Sequence, residues 1–269
     1  TSENKLFLTN RINNSTIELS EESGSYNASG FSKDNKDFFF ITDVGKEFSY
    51  LVKYEIETGE KEVLFETNWD VMYSYLSENE KYRVIAINED GKNTLFIKDL
   101  VNNSDVYFPE IPDGDIKGVS FSESEEKIRL TIGTSKSPNN IYVYDMGSKE
   151  LKKLTETLNP EINANDMVAA EVVRYPSFDG LEIPAIYYKP IDATKRNKVP
   201  ALVWVHGGPG GQSRTGYSSL IQYLVNHGYA ILAVNNRGSS GYGKTFFKMD
   251  DLNHGDKDLK DCIWGKKWL

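Results

Sequence analysis

The first 165 residues of the chain repeat one pattern of amino acids three times. Each copy opens with an apolar residue, a serine and a short polar stretch, and an apolar run follows. The three copies begin at Phe31, Leu76 and Phe121, so the period is 45 residues. Periods of roughly 40–50 residues are typical of β-propeller blades, which contain four strands each. The repeat therefore predicts a series of similar β-sheet units.

Each copy also contains runs in which aromatic and β-branched residues alternate with polar ones, the pattern of antiparallel strands. Turn residues separate these runs at Thr58-Gly59, Asn102-Asn103 and Gly147-Ser148. The segment from Lys5 to Ser15 matches one 89 residues later. Residues 1–165 are thus predicted to form a partial β-propeller of about three and a half blades. Closed propellers have about four to eight blades, so we expect that the missing blades precede residue 1 in a longer chain. A β-sandwich with coincidental spacing is the alternative.

Charge divides the chain near residue 165. Residues 1–165 carry a net charge of −12, whereas residues 166–269 carry +3, for a total of −9. A polar, proline-containing stretch over 159–165 has the composition of a connector. We therefore expect two domains, 1–165 and 166–269. The acidic balance argues against nucleic acid as a partner.

Other classes are excluded by simple counts. No apolar run approaches the ~18 residues of a membrane-spanning helix, which predicts a soluble protein without a membrane partner. Cys262 is the single cysteine, so an internal disulfide and a thiolate metal cluster are impossible. The histidines, His206, His227 and His254, are widely spaced. Nothing in this pattern favours a zinc site, and no cofactor is predicted.

The second region has the pattern of a parallel α/β sheet. The continuous apolar run Ala201–Val205 predicts a strand buried on both faces. A helix is predicted next, with Leu220, Ile221, Leu224 and Val225 on one face and Gly228 at its end. A second buried strand follows at Tyr229–Val234. A strand, a helix and a strand at this spacing indicate parallel pairing.

The first predicted strand ends in the glycine loop His206-Gly207-Gly208-Pro209-Gly210-Gly211. Adjacent glycines leave backbone N–H groups uncovered, and such donors can bind a developing negative charge, as an oxyanion hole requires. His-Gly-Gly loops serve this purpose in lipases and esterases. A plain turn between strand and helix is the alternative.

A second glycine loop, Gly238–Thr245, matches the phosphate-binding pattern G-x-x-x-x-G-K-[ST]. This pattern would place Lys244 on the phosphates and Thr245 on magnesium. Three observations weaken the interpretation. Residues 235–237 separate the loop from its strand, Asn253-His254-Gly255 interrupts the helix expected after it, and no later strand ends in an aspartate for magnesium.

Four features follow one another along the chain: the repeated blade strands, Ser177-Phe178-Asp179-Gly180, His206-Gly207-Gly208-Pro209 and Asn236–Gly243. In this order they resemble the prolyl oligopeptidase family of serine peptidases, and in particular its acylaminoacyl peptidase and dipeptidyl aminopeptidase branches. The resemblance implies a β-propeller followed by the N-terminal part of an α/β-hydrolase domain, which acts on short peptides. It also implies that His206, Gly207 and Gly208 form the oxyanion loop, with the Gly208 N–H as the donor.

The serine, aspartate and histidine triad of the family is absent from the chain. No G-x-S-x-G occurs, and all three histidines precede the expected place of the nucleophile. We therefore expect an internal segment that is inactive alone and whose partner is the remainder of its own chain. We expect the full-length protein to release acylated residues or dipeptides from the N-termini of short peptides.

Three other functions are open: a propeller scaffold with an inert hydrolase remnant, an esterase of the same fold and, least favoured, a nucleotide hydrolase. A cytoplasmic location and a homo-oligomer are expectations that the sequence supports only weakly.

Overall fold

The computed structural model describes residues 3–107, 109, 111, 113–208 and 210–269. By their contacts these residues divide into two compact units. The first unit comprises Thr1–Asn88, Leu95–Tyr107 and Tyr242–Thr245, and the second comprises Glu89–Thr94, Phe108–Gly241 and Phe246–Leu269. This division follows contacts, and the domain boundary near residue 165 stays a prediction.

The predicted repeats form one two-stranded and three four-stranded antiparallel sheets, each in simple meander order. The strands are β1 Phe7–Thr9, β2 Thr16–Glu18, β3 Tyr26–Phe31, β4 Asp37–Thr42, β5 Tyr50–Glu55, β6 Lys61–Phe65, β7 Asp70–Leu76, β8 Tyr82–Glu89, β9 Lys92–Asp99, β10 Ser104–Asp105, β11 Asp115–Phe121, β12 Lys127–Gly133, β13 Asn140–Asp145 and β14 Leu151–Lys153. The prediction of four strands per repeat and of an initial hairpin is confirmed. After the Asn102-Asn103 turn the sequence predicts a strand over 105–108, whereas β10 covers only Ser104–Asp105, and Phe108 lies outside the described residues.

The 45-residue period has a physical basis in a serine loop that recurs in all three large sheets. Ser32, Ser77 and Ser122 each directly follow the first strand of their sheet. Their hydroxyls accept hydrogen bonds from the N–H groups of Asp37, Tyr82 and Lys127, at 2.9, 2.9 and 3.2 Å. The backbones of the same serines make equivalent contacts in each loop. The residue three positions after each serine is left-handed, with φ of 56–57° at Asn35, Glu80 and Glu125.

Apolar side chains from the first two large sheets form the cores of the first unit. One cluster contains Phe39, Ile41, Leu51, Val71, Ile85 and Ile87, so it joins the β3–β6 sheet to the β7–β10 sheet. A second cluster covers the other face of the β3–β6 sheet and includes Leu19, Tyr26, Phe38, Phe40, Val52 and Tyr54. Alternation along β4 sends successive phenylalanines into opposite cores, as the two-residue period of a strand requires.

The second unit adds a mixed sheet of four strands in the order β15-β16-β18-β17. Its elements are β15 Glu171–Pro176, β16 Glu182–Tyr188, β17 Ala201–Val205, α1 Ser219–Asn226, β18 Ala230–Val234, α2 Lys244–Lys248 and α3 Lys257–Trp268. β17 and β18 pair in parallel, as predicted. β18 is buried along its whole length, and its Ile231 and Ala233 pack with Ile186, Tyr188, Ile221 and Val225.

Two details of the second region differ from the sequence analysis. β17 is not buried on both faces: Leu202 and Val205 are 37% and 55% exposed. β17 is an edge strand in this sheet and is therefore less covered than β18. In α1, Leu220 is 52% exposed, and Gln222 is buried with Ile221 and Val225 instead. Gln222 tolerates burial because its side-chain amide is fully hydrogen-bonded, as described below.

No helix among the described residues combines the length and the apolar character needed to cross a lipid bilayer.

Candidate active site

The loop after β17 presents two exposed glycines. Gly207 and Gly208 are both exposed, and neither N–H donates a hydrogen bond to any of the described residues. Gly208 has a left-handed φ of +53°, which disfavours any residue with a side chain. A Cβ added at either glycine would meet nothing within 4 Å, so space lies open beside both. The bare amides that the sequence predicts are present, while Pro209 lies outside the described residues.

The far end of this loop is tightly packed. The Gly211 N–H donates to the Gly208 carbonyl at 2.7 Å, and the Gly211 carbonyl accepts from the Ser240 N–H at 3.0 Å. A Cβ at Gly211 would lie 2.9 Å from His206 Nδ1 and collide with the Gly207 carbonyl, and one at Gly210 would lie 2.8 Å from the ring of Phe247. Gly210 and Gly211 are therefore required by close packing, whereas Gly207 and Gly208 border open space.

His206 anchors the start of the loop through Ser239. The Ser239 hydroxyl lies 2.6 Å from the Asn236 carbonyl, which can only accept, so the hydroxyl donates to it. Nε2 of His206, 2.8 Å from the same hydroxyl, must then carry the proton and donate. Burial lowers the pKa of His206 below its usual value, which favours this neutral form.

Ser239 and His206 do not act together as a catalytic nucleophile and its general base. Ser239 is 0% exposed, and its proton is held by a backbone carbonyl rather than by the imidazole. Ser213 is also buried, and its backbone N–H and carbonyl pair with the side-chain amide of Asn235 at 2.6 and 3.0 Å. These contacts fix the chain between the glycine loop and α1 against the end of β18.

Arg237 connects the second glycine loop to two distant segments. Its side chain is 4% exposed and makes paired hydrogen bonds to Asp179 at 2.9 and 3.0 Å. Asp261, fully buried in α3, accepts from the Arg237 backbone N–H, Nε and Nη2, each at 2.9 Å, and from Ser177 Oγ at 2.6 Å. Phe178 lies against the guanidinium, 4.8 Å from ring centre to Cζ.

This network explains why the Ser177–Gly180 turn and the Asn236–Gly243 loop occur in one sequence. Arg237 brings the two motifs together, and its hydrogen bonds lower the pKa of Asp179. Gly238 has φ of +93°, and a Cβ there would lie 2.3 Å from the Cβ of Asp250, so only glycine fits. Nothing in the sequence indicates this role for Asp261, because charged residues at 257, 258 and 260 precede it as on an exposed helix face.

The residues of the phosphate-loop pattern already have carboxylate partners. Lys244 Nζ donates to the Asp43 carbonyl at 2.7 Å and lies 3.3 Å from the Asp43 carboxylate. The N–H and hydroxyl of Thr245 donate to the two Glu47 oxygens at 2.7 and 2.8 Å. A carboxylate therefore lies where this pattern would place a phosphate, and α2 has only five residues. The geometry disfavours nucleotide binding.

The sequence of the chain is similar to those of known peptidases. Residues 215–269 match the model of the prolyl oligopeptidase family. The chain is 25% identical over 247 residues to dipeptidyl aminopeptidase BIII of Pseudoxanthomonas mexicana, covering 89% of this chain and 36% of that protein. It is 34% identical over 84 residues to the acylamino-acid-releasing enzyme of Sus scrofa, covering 31% and 12%.

The fold is shared with solved peptidases. A puromycin-hydrolyzing peptidase of Mycobacterium tuberculosis superposes with a TM-score of 0.80 at 18% identity, over 95% of this chain and 40% of that one. At this identity the likeness establishes the fold alone. The chain spans about a third of the length of the first curated relatives it matches.

Proposed function

We propose that this chain, whose residues 215–269 match the model of the prolyl oligopeptidase family, is part of a serine peptidase of that family, with His206–Gly208 as its oxyanion loop. One observation carries the proposal: the N–H groups of Gly207 and Gly208 are exposed and have no partner among the described residues. Gly208 N–H supplies one oxyanion donor, and the N–H after the nucleophilic serine supplies the other.

The loop is preorganised for this role. His206 and Gly211 fix the bend from both ends, through Ser239 and through Ser240. Donors that are already oriented need no reorganisation as the oxyanion forms, which is the source of their catalytic effect. In this proposal the three large antiparallel sheets are propeller blades, and a hydrolase domain begins near residue 166. The nucleophile lies outside these 269 residues.

We propose short peptides as substrates, cleaved near their N-termini to release a dipeptide or an acylated residue. Two of the relatives are named for these activities. The net charge of −12 over residues 1–165 would attract a free amino terminus. Full-length enzyme should therefore cleave free-amine peptides faster than their acetylated counterparts. Faster cleavage of the acetylated peptides would refute this preference while leaving the peptidase assignment intact.

The first experiment locates the nucleophile. We expect a fluorophosphonate probe to label the full-length protein on one serine, within a G-x-S-x-G sequence outside the 269 residues. A label on a serine of this chain, or no label on folded protein, would overturn the peptidase assignment. Heat-unfolded protein, which should not react, is the control for nonspecific labelling.

The second experiment tests the donor. Gly208→Ala should lower kcat by about 10²–10³ with little change in KM, because the left-handed φ of residue 208 cannot be kept and the N–H turns away. Gly207→Ala is the matched control, since residue 207 has equal space without a left-handed φ. Equal kcat in Gly208→Ala and the wild type would rule out the Gly208 N–H as a donor.

A further inference from the structure

Asp250, His254 and Asp258 are brought together in the stretch that leads into α3. His254 Nδ1 lies 2.8 Å from Asp258 Oδ2 and 3.3 Å from Asp250 Oδ2. The three candidate ligand atoms lie within 4.8 Å of one another. Turns, rather than a helix, bring the two carboxylates to the same imidazole nitrogen: residues 249–256 are non-helical, and Leu252 and Gly255 have left-handed φ values of +61° and +83°.

The two carboxylates are buried but have unequal hydrogen-bond partners. The side chains of Asp250 and Asp258 are 6% and 11% exposed. Asp258 Oδ1 accepts from the backbone N–H groups of Gly255 and Leu259 at 2.7 and 2.8 Å. Asp250 Oδ1, in contrast, is buried and has no hydrogen-bond partner among the described residues.

His254 cannot satisfy both aspartates. Its Nδ1 carries at most one proton, and the closer acceptor is Asp258. Asp250 therefore shares a single donor with Asp258, and its buried Oδ1 has none, an arrangement that is unfavourable for an ionised carboxylate unless a cation compensates it. Burial, followed by the nearby charge of Asp258, raises the pKa of Asp250, as expected for a carboxylate that lacks a cation.

We propose that Asp250, His254 and Asp258 bind a Zn²⁺ ion. Imidazole nitrogen and carboxylate oxygen are ordinary zinc ligands, and bonds of about 2.0–2.2 Å in a tetrahedron separate ligand atoms by roughly 3.3–3.6 Å. The observed separations from Nδ1 to the two oxygens are 2.8 and 3.3 Å, and all three ligand atoms lie within 4.8 Å of one another, so side-chain rotations would bring them to this spacing. Zinc takes the place of the Nδ1 proton, which is released, and water completes the fourth position.

The ion would connect the start of α3 to the second glycine loop. Asp250 packs directly on Gly238, where no side chain fits, and Asp258 lies in the first turn of α3. Histidine spacing alone gave no sign of this site, because its other two ligands are aspartates. The inference does not depend on the proposed peptidase function.

Zinc binding can be measured directly on protein purified without a polyhistidine tag and stripped of metal. Titration against a chromophoric chelator should show one Zn²⁺ per chain, and Zn²⁺ should raise the midpoint of thermal unfolding. His254→Ala should weaken binding by at least about 100-fold, since even supporting residues of metal sites contribute 10–100-fold. His254 is 66% exposed, so this variant should fold.

Three further variants distinguish zinc binding at this site from zinc binding elsewhere on the protein. His227→Ala removes another exposed histidine and should bind zinc like the wild type, as should Cys262→Ser. Asp250→Asn should lose affinity as His254→Ala does. The proposal is overturned if the wild type binds no stoichiometric zinc, if His254→Ala binds as tightly as the wild type, or if Cys262→Ser loses the site.

Discussion

The repeated sheets and the glycine-loop region are stabilised by contacts of very different sequence separation. In the repeats, each serine hydroxyl bonds a backbone N–H five residues away, and the same loop recurs three times. In the glycine-loop region, Arg237 and Asp261 are 24 residues apart, Asp179 and Arg237 are 58 apart, and Ser177 and Asp261 are 84 apart.

This contrast has an energetic consequence. The three serine hydroxyls accept from three different N–H groups, so the effects of replacing the serines should add, although the first two loops also touch through Lys33 and Glu80. The residues around Arg237 all share Asp261 or Asp179, so their effects should not add.

Arg237→Ala should lower the free energy of unfolding by about 3–5 kcal/mol, because it leaves the fully buried Asp261 without its cation. Urea denaturation at neutral pH measures the change. Arg174→Ala is the control: Arg174 also pairs with an aspartate, Asp90 at 2.8 Å, but its side chain is 39% exposed. That variant should cost less than about 1 kcal/mol, and equal losses would contradict the special role of the buried network.

Gln222→Leu should cost about 2–3 kcal/mol, although the two side chains are similar in size. Gln222 Nε2 donates to the carbonyls of Ser135 and Val168, both at 2.8 Å, and Oε1 accepts from the Val168 N–H at 3.0 Å. Leucine leaves these buried backbone groups without partners. Leu220→Ala, on the exposed side of α1, should change stability by less than about 0.5 kcal/mol. If Leu220→Ala cost more stability than Gln222→Leu, the buried face of α1 would be the one predicted from the sequence.

The repeats were predictable because their information is local. The serine, the left-handed residue and the alternating strands all fall within one 45-residue period, so the same local pattern appears three times in the sequence. The parallel pairing of β17 and β18 was predictable for a similar reason, since an apolar strand, a helix and an apolar strand are contiguous.

The remaining site contacts were not predictable because they join distant residues of unremarkable type. Nothing in the α1 pattern marks Gln222 as buried, since its partner Ser135 lies 87 residues away. In α3 the pattern even misleads: Leu259 and Ile263 are 54% and 43% exposed, whereas Asp258 and Asp261 are buried. Tertiary hydrogen bonds to the two carboxylates outweigh the apolar periodicity there. The bare glycine amides were foreseen, but their anchoring through Ser239 was not.

Ser77→Ala should cost about 1 kcal/mol, the contribution of one ordinary hydrogen bond. Ser32→Ala and Ser122→Ala should cost similar amounts, and the triple variant should lose their sum in calorimetry or urea denaturation. Ser23→Ala, at an exposed bend, provides the control without a measurable change. If the triple variant lost much more than the sum, the three sheets would be coupled, and the contrast with the Arg237 network would fail.

Asp179→Asn should have the smallest effect, and the effect should depend on pH. Hydrogen bonds from Arg237 lower the pKa of Asp179 below the usual aspartate value of about 3.9. A lowered pKa in the folded state means that ionised Asp179 stabilises the protein above that value and that the contribution is lost as the pH falls below it. The wild type should therefore be more stable than the variant at neutral pH, and the two urea midpoints should converge as the pH falls through the lowered pKa of Asp179. In an Arg237→Ala background the same substitution should no longer destabilise at neutral pH, because the cation that Asp179 binds is gone. A difference that persisted at low pH, or in that background, would show that Asp179 acts through packing, independently of the ion network.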